Sequence, residues 1–131
     1  MRVLLDSNIW ISAILAGGQP EKILNLAEQG LFGLFISDQI DLEILDVLKN
    51  KYKMTDSLLD EVFFEIGKLA SRVKTKNELE VIETDPRDNH VLEAALVAGV
   101  DFLITGDKHL LELKKFKGIE IVKPTEFLGR L

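Results

Sequence analysis

Four carboxylates have the type and spacing that could support chemistry. Asp6 directly follows a short apolar run at residues 3–5, and Asp107 comes shortly after a second run at residues 102–104. Asp88 lies in the first turn of a predicted helix, and Glu43 lies inside another. Carboxylate oxygens are the ligands that Mg²⁺ and Mn²⁺ prefer in proteins. If the fold brings these side chains together, they indicate a site for divalent cations.

A cluster of four carboxylates restricts what such a site can do. Like charges in close contact raise one another's pKa and favour proton uptake, unless a cation neutralises them. A hard divalent cation with open positions orients a water, helps to deprotonate it and stabilises the charge that builds on a phosphate. The pattern therefore favours phosphodiester hydrolysis.

Short apolar runs alternate with helical patterns along the chain. Strands are predicted at residues 3–5, 34–36, 102–104 and 119–122, and a short one at 72–74. This alternation is typical of an α/β fold with a mainly parallel sheet flanked by helices. In open sheets of this kind, ligands bind beyond the carboxyl ends of the strands. Asp6 and Asp107 are predicted to lie at that edge.

The predicted helices place the other two acids. Ser37 or Asp38 caps a helix that carries Glu43, and Asp85 is predicted to cap a helix that begins at Pro86 and carries Asp88. The further helices are predicted from Asp6 onward, over 21–29, over 55–70, from Asp107 to Leu113 and from Pro124.

Length and composition exclude several classes of protein. A chain of 131 residues without a repeat or linker predicts one domain over 1–131. The absence of cysteine excludes disulfides and thiolate metal sites. No signal peptide and no apolar run of roughly 20 residues is present, so no membrane segment and a cytoplasmic location are predicted. The net charge of −6 disfavours a protein that coats nucleic acid, although clustered acids that hold cations are locally neutralised.

Several motifs in this order resemble one family. They are Val-Leu-Leu-Asp-Ser-Asn at residues 3–8, the helix with Ser37, Glu43 and Val47-Leu48, Asp-Pro-Arg-Asp-Asn at 85–89, Asp-Phe-Leu-Ile-Thr-Gly-Asp at 101–107, and the closing segment 121–128. Together they resemble the PIN domain nearly end to end. More narrowly, the chain is similar to the VapC toxins of prokaryotic toxin–antitoxin pairs.

The resemblance implies a Mg²⁺- or Mn²⁺-dependent endoribonuclease with an acidic quartet. By position, the quartet would be Asp6, Glu43, Asp88 and Asp107. Asp6 would be the central ligand, Asp88 and Asp107 would hold the metal directly or through water, and Glu43 would bind a second ion or position the attacking water.

The resemblance also implies supporting residues and partners. Asn8 and Thr105 match polar positions that support the first and last acids, and Asp101 is expected to have a structural role. The partners would be an RNA substrate, a small antitoxin and a second copy of the chain. Ser7 stands where Thr is common, and Gln39 stands where an acid is common. The second departure leaves open which carboxylate of that helix acts.

Each acid also has a structural explanation by itself. Asp6 and Asp107 could be helix caps, Asp88 could favour the positive end of a helix dipole, and Glu43 could be solvated. Solvated or capping roles are favoured for His90 and His109, and a core or interface position for Trp10. The lysines at 49, 51 and 53, and those at 114, 115 and 117, fit a solvated surface or RNA contact equally well.

Other functions fit the acids less well. A receiver-like signalling module needs two adjacent acids after its first strand, where this chain has Asp6, Ser7 and Asn8. A phosphatase with an aspartate nucleophile needs a second acid two residues after the first, where Asn8 stands. A non-catalytic PIN-like binding module remains the alternative, and the complete quartet argues against it.

Overall fold

A computed structural model describes residues 1–76 and 86–131, with the backbone alone for Pro86 and Arg87. The strands are β1 (Arg2–Leu5), β2 (Gly33–Ser37), β3 (Ala70–Val73), β4 (Phe102–Ile104), β5 (Lys115–Phe116) and β6 (Ile119–Val122). The helices are α1 (Ser7–Leu15), α2 (Gly18–Glu28), α3 (Asp38–Asn50), α4 (Asp56–Leu69), α5 (Pro86–Ala98), α6 (Lys108–Leu113) and α7 (Pro124–Gly129). The predicted cap Asp85 lies outside the described residues.

The strands of the described residues form one sheet, in the order β3-β2-β1-β4-β6-β5. All neighbouring strands are parallel except β5 and β6, which are antiparallel. The prediction of an α/β fold with a mainly parallel sheet flanked by helices is confirmed. Strand β5 was not predicted, because two residues are too few to show a strand pattern.

The middle of the sheet is the most buried part of the fold. Val3, Leu4 and Leu5 of β1, and Leu103 and Ile104 of β4, are completely buried. A strand covered on both faces has no solvent side, which explains why these runs are continuously apolar instead of alternating.

Local chemistry sets the ends of several helices. The Ser37 hydroxyl accepts a hydrogen bond from the Ile40 backbone N–H (3.2 Å), so Ser37 is the cap of α3. Helix α2 begins at Gly18 instead of the predicted residue 21, because Pro20 fits the first turn, where its missing N–H is not needed. Gly99, with φ of +62°, ends α5 as predicted.

The pairing of β1 with β4 positions the candidate site residues that follow these two strands. Leu5 pairs with Ile104, so the residues that follow both strands emerge side by side at one edge of the sheet. At the opposite end, Asp101 accepts a hydrogen bond from the Arg2 backbone N–H (2.8 Å), which confirms its predicted structural role. No helix of the described residues is long and apolar enough to cross a membrane.

Candidate active site

The four predicted acids line one cavity at the carboxyl ends of β1 and β4. We call it the acidic cavity, and its volume is about 40 Å³. Its lining residues are Asp6, Ser7, Asn8, Glu43, Asp88, Val91 and Asp107. The fold therefore brings together, in three dimensions, acids that are up to 101 residues apart in the sequence.

Asp6 lies at the end of β1 and caps α1. One carboxylate oxygen, Oδ1, accepts a hydrogen bond from the Ser7 backbone N–H at 2.7 Å. The other, Oδ2, accepts one from the Thr105 hydroxyl at 2.7 Å. Asp6 is 6% exposed, so both contacts lie in a dry environment that orients the side chain firmly. The capping role that the sequence suggested is present, and it does not remove Asp6 from the cavity.

Thr105 connects the first and last acids of the quartet. This residue is completely buried; its hydroxyl donates to Asp6 and accepts a hydrogen bond from the Asp107 backbone N–H (3.0 Å). Asp107 in turn caps α6, since its Oδ1 accepts from the backbone N–H groups of His109 (2.8 Å) and Leu110 (3.1 Å). Thr105 thus contacts both residues, and its supporting role in the site stays a prediction. Asn8 is exposed and lines the same cavity.

Asp88 and Glu43 approach the cavity from two helices. Asp88 lies in the first turn of α5 and is 5% exposed. Glu43 lies in α3, and its side chain is 27% exposed. The side chain of Glu43 is therefore not fully solvated, in contrast to the structural explanation that the sequence suggested for it. The helix dipole of α5 places partial positive charge near Asp88.

Burial controls the ionisation of Asp6. Loss of solvent raises the pKa of this carboxyl above its ordinary value, and the nearby charges of Glu43 and Asp107 raise it further. The hydrogen bonds from Thr105 and Ser7 lower the pKa and offset only part of the rise. A carboxylate in this position gains most from a cation, because a cation stabilises the charged form that burial disfavours.

Oxygen donors and the size of the acidic cavity fit a divalent cation. A single water needs roughly 10–15 Å³ of such space, so the cavity accommodates about three particles of that size. As the side chains stand, no group of three or more Asp, Glu, His or Cys within residues 1–76 and 86–131 converges on one metal position. Mg²⁺ retains several waters and needs only one or two direct carboxylates, so waters can bridge to the others.

His90 is a neighbour of the site that the sequence did not indicate. Its ring nitrogen Nε2 lies 2.9 Å from Oε1 of Glu43, and its side chain is only 12% exposed. The prediction of a solvated or capping role was therefore wrong. His90 and Glu43 are 47 residues apart, and no local spacing connects a histidine in α5 with an acid in α3.

Asp41 shows that a second acid of α3 has a different role. It is 3% exposed, and its Oδ2 accepts from Nε of Arg72 in β3 at 2.5 Å. Arg72 also stacks over the Phe63 ring of α4, 4.4 Å from its centroid. Placement favours Glu43 over Asp41 as the candidate acid of this helix, because Glu43 lines the acidic cavity and Asp41 does not.

Two larger cavities lie elsewhere on the molecule. One, of about 370 Å³, we call the apolar groove. Its lining residues are Trp10, Ile14, Leu24, Met54, Leu58, Glu61, Val62, Glu65, Ile66 and Leu69. The other, of about 670 Å³, is a depression beside β6 with both lysines and glutamates. Of these three cavities of the described residues, the smallest has the clustered acids.

The basic residues and Trp10 differ in their exposure to solvent. The lysines at 49, 51, 53, 114, 115 and 117 are all exposed, so a solvated surface and RNA contact both remain consistent with their positions. Trp10 is 1% exposed and belongs to the core, where it also lines the apolar groove.

Comparison with known proteins identifies the family of the chain. A sequence model of the PIN domain matches residues 2–109. The chain belongs to the PIN domain family. The match ends inside α6, and β6 continues the same sheet beyond it. No curated protein matches the sequence.

A solved structure shares the fold. It is a chain from the crystal structure of VapBC2 from Rickettsia felis, bound to a DNA fragment from their promoter. The two chains are 16% identical, with a TM-score of 0.63, over 92% of this chain and 97% of that chain. At this identity the likeness establishes the PIN fold.

Proposed function

We propose that this PIN domain is a Mg²⁺- or Mn²⁺-dependent endoribonuclease that hydrolyses RNA phosphodiester bonds. The observation that carries the proposal is the acidic cavity, in which Asp6, Glu43, Asp88 and Asp107 meet at the carboxyl edge of the sheet. Membership of the PIN family supports nuclease chemistry, and the burial of Asp6 supports a need for cations.

Asp6, Asp88 and Asp107 are proposed to hold the cation, with Asp6 as the central ligand. When bound, the cation supplies Lewis-acid chemistry, activating a water and stabilising negative charge on the phosphate. Thr105 keeps the Asp6 carboxylate in one orientation through its 2.7 Å hydrogen bond. Fixing the ligands before substrate arrives lowers the reorganisation that the reaction requires.

Glu43 is proposed to hold a second ion or to orient the attacking water. Its position on α3 approaches the cavity from a different element than Asp6 and Asp107, which follow β1 and β4. Asn8, exposed at the cavity, is proposed to support the first acid, Asp6.

The test is cleavage of a panel of labelled RNAs by the purified chain, with Mg²⁺, with Mn²⁺ and with chelator, beside an Asp6→Asn variant. We expect cleavage that needs the metal and falls at least about 10³-fold in the variant, because the central ligand loses its charge. Asp101→Asn is the matched control, since Asp101 lies at the other end of the same strands.

Two outcomes would contradict the proposal. One is chelator-resistant cleavage, which would make the cation unnecessary. The other is an absence of cleavage of any RNA or single-stranded DNA, which would favour a non-catalytic PIN-like binding module.

We also propose that the chain acts as the toxin of a toxin–antitoxin pair, with a small antitoxin and a second copy of itself as partners. The fold similarity to a VapBC2 chain supports this context. The apolar groove offers a surface for such a protein: Leu58 is 48% exposed at its side, and Glu61 and Glu65 on α4 give it acidic flanks.

The organisation and location of the chain remain proposals. One domain over 1–131 is supported by β6 and β5, which extend the sheet past the residues that the family model matches. A cytoplasmic location is the setting that RNA cleavage by a toxin requires.

A further inference from the structure

The contact between His90 and Glu43 joins the first turns of α5 to the middle of α3. Nε2 of His90 lies 2.9 Å from Oε1 of Glu43, which is a hydrogen-bond distance. Oε1 is buried and has no aligned hydrogen bond within the described residues, so the 2.9 Å approach of His90 is a close polar contact. The imidazole is thus the polar group available to this oxygen.

The surroundings of His90 favour one tautomer. Nδ1 is buried and has no hydrogen-bond partner within the described residues. A neutral imidazole carries one N–H and one bare acceptor nitrogen. A proton on Nδ1 would be buried without an acceptor in the described residues, whereas Nε2 lies 2.9 Å from a carboxylate oxygen. The tautomer with its proton on Nε2 is therefore favoured.

Glu43 needs such a partner more than Asp6 and Asp107 do. Asp6 is held by Ser7 and Thr105, and Asp107 is held by the first turn of α6. Glu43 has a longer side chain with one more rotatable bond, and it lines the cavity from the middle of a helix. A partner at Oε1 restricts rotation about these bonds and leaves Oε2 available to a ligand in the cavity.

We propose that His90 is a positioning residue: it holds Oε1 of Glu43 so that the second oxygen faces a cation in the acidic cavity. The inference rests on the proposed function and adds a residue outside the quartet to it. Groups that orient metal ligands typically change metal affinity or activity by roughly 10–100-fold when they are removed.

The test compares His90→Leu with His90→Gln. Leucine keeps much of the ring's bulk without a donor, and glutamine offers an N–H donor at a similar reach. We expect the Mn²⁺ dissociation constant, measured by calorimetry, to rise roughly tenfold in His90→Leu and to return within about threefold of the original in His90→Gln. In RNA cleavage, kcat should fall by a similar factor while KM stays unchanged.

A double-mutant cycle shows whether His90 acts through Glu43. In a Glu43→Gln background, His90→Leu should cause no further loss of Mn²⁺ affinity, because the carboxylate that it positions is already gone. Fluorescence of Trp10, the single tryptophan, reports whether each variant is folded.

Three results would overturn the inference. They are Mn²⁺ affinity in His90→Leu equal to that of the unchanged chain, a loss of the same size in the Glu43→Gln background, and failure of glutamine to restore binding in a folded variant. If the unchanged chain neither binds Mn²⁺ nor cleaves RNA, the proposed function fails and the inference falls with it. If it does both and His90→Leu matches it, the inference alone fails.

Discussion

The acidic cavity and the apolar groove differ in almost every property. The cavity is about 40 Å³, polar, and lined by carboxylates that are buried or half-buried. The groove is about 370 Å³ and lined mainly by aliphatic side chains from α1, α2 and α4. Clustered buried acids destabilise a fold unless a cation neutralises them, and an open apolar surface costs free energy until something covers it.

The difference indicates two separate tasks on one small scaffold. Chemistry needs few atoms, fixed closely and shielded from water, whereas association with a protein needs a large contact area. Substitutions in the acidic cavity should therefore change catalysis with little effect on association, and substitutions in the groove should do the opposite. The four predictions below test this separation, from the largest expected effect to the smallest.

Of these four, the largest effect is expected for two acids of the same helix, Glu43 and Asp41. Glu43→Gln should lower RNA cleavage by roughly 100-fold or more, because it removes charge from the cavity, while the melting temperature changes little. Asp41→Asn should weaken the ion pair with Arg72, lower stability by about 1–3 kcal/mol, and leave cleavage by the folded protein near its original rate. Cleavage rates and thermal melts of both variants test whether the two acids have these different roles. A large loss of cleavage in a stable Asp41→Asn protein would contradict the distinction.

The next effect concerns the Thr105 hydroxyl, which joins two acids of the cavity. Thr105→Val keeps the shape but leaves Oδ2 of Asp6 and the Asp107 N–H without this partner. We expect cleavage to fall about 10–100-fold and stability to fall by about 1–3 kcal/mol. Thr105→Ser, which retains the hydroxyl, should recover most of both in the same assays. Equal losses in the two variants would mean that the methyl group matters, and not the hydrogen bonds.

A change in the apolar groove should leave catalysis alone. Leu58→Glu places a charge at the side of the groove and should weaken binding of a candidate antitoxin tenfold or more, as measured by calorimetry. Leu31→Glu is the control, since Leu31 is similarly exposed, at 51%, and lies outside the groove. RNA cleavage should be unchanged in both. Equal binding by the two variants would move the partner to another surface.

The smallest effect is the pH dependence of the metal-free protein. Because burial raises the pKa of Asp6 in the folded state, the folded chain binds more protons than the unfolded one between the ordinary value, 3.8, and the raised one. The contribution of Asp6 to stability is therefore greatest below 3.8 and is lost as pH rises through the raised pKa.

The direction of this pH dependence can be measured as the difference in stability between the unchanged chain and an Asp6→Asn variant. Asp6→Asn cannot ionise, so in chelator it should be more stable than the unchanged chain at pH 7 and should lose that advantage as pH falls. Urea melts at several pH values give the difference curve. A difference that does not change with pH would show that Asp6 has an ordinary pKa in the folded chain.

The sequence by itself determined the architecture and the identity of the acids. Apolar runs such as residues 3–5 and 102–104 become strands because burial on both faces requires continuous hydrophobicity. The parallel sheet follows from their alternation with helices, and parallel strands direct Asp6 and Asp107 to the same edge. The residue pattern named Glu43 and Asp88 as candidates, and the family resemblance added the prediction that they are ligands.

Tertiary structure alone decided how the acids differ from one another. Asp41 and Glu43 are two positions apart on α3, yet one pairs with Arg72 of β3 and the other lines the cavity. The contact of His90 with Glu43, and the raised pKa of Asp6, likewise depend on distances between helices and on burial. Those quantities arise from packing between residues far apart in the chain, and no local pattern of residue types contains them.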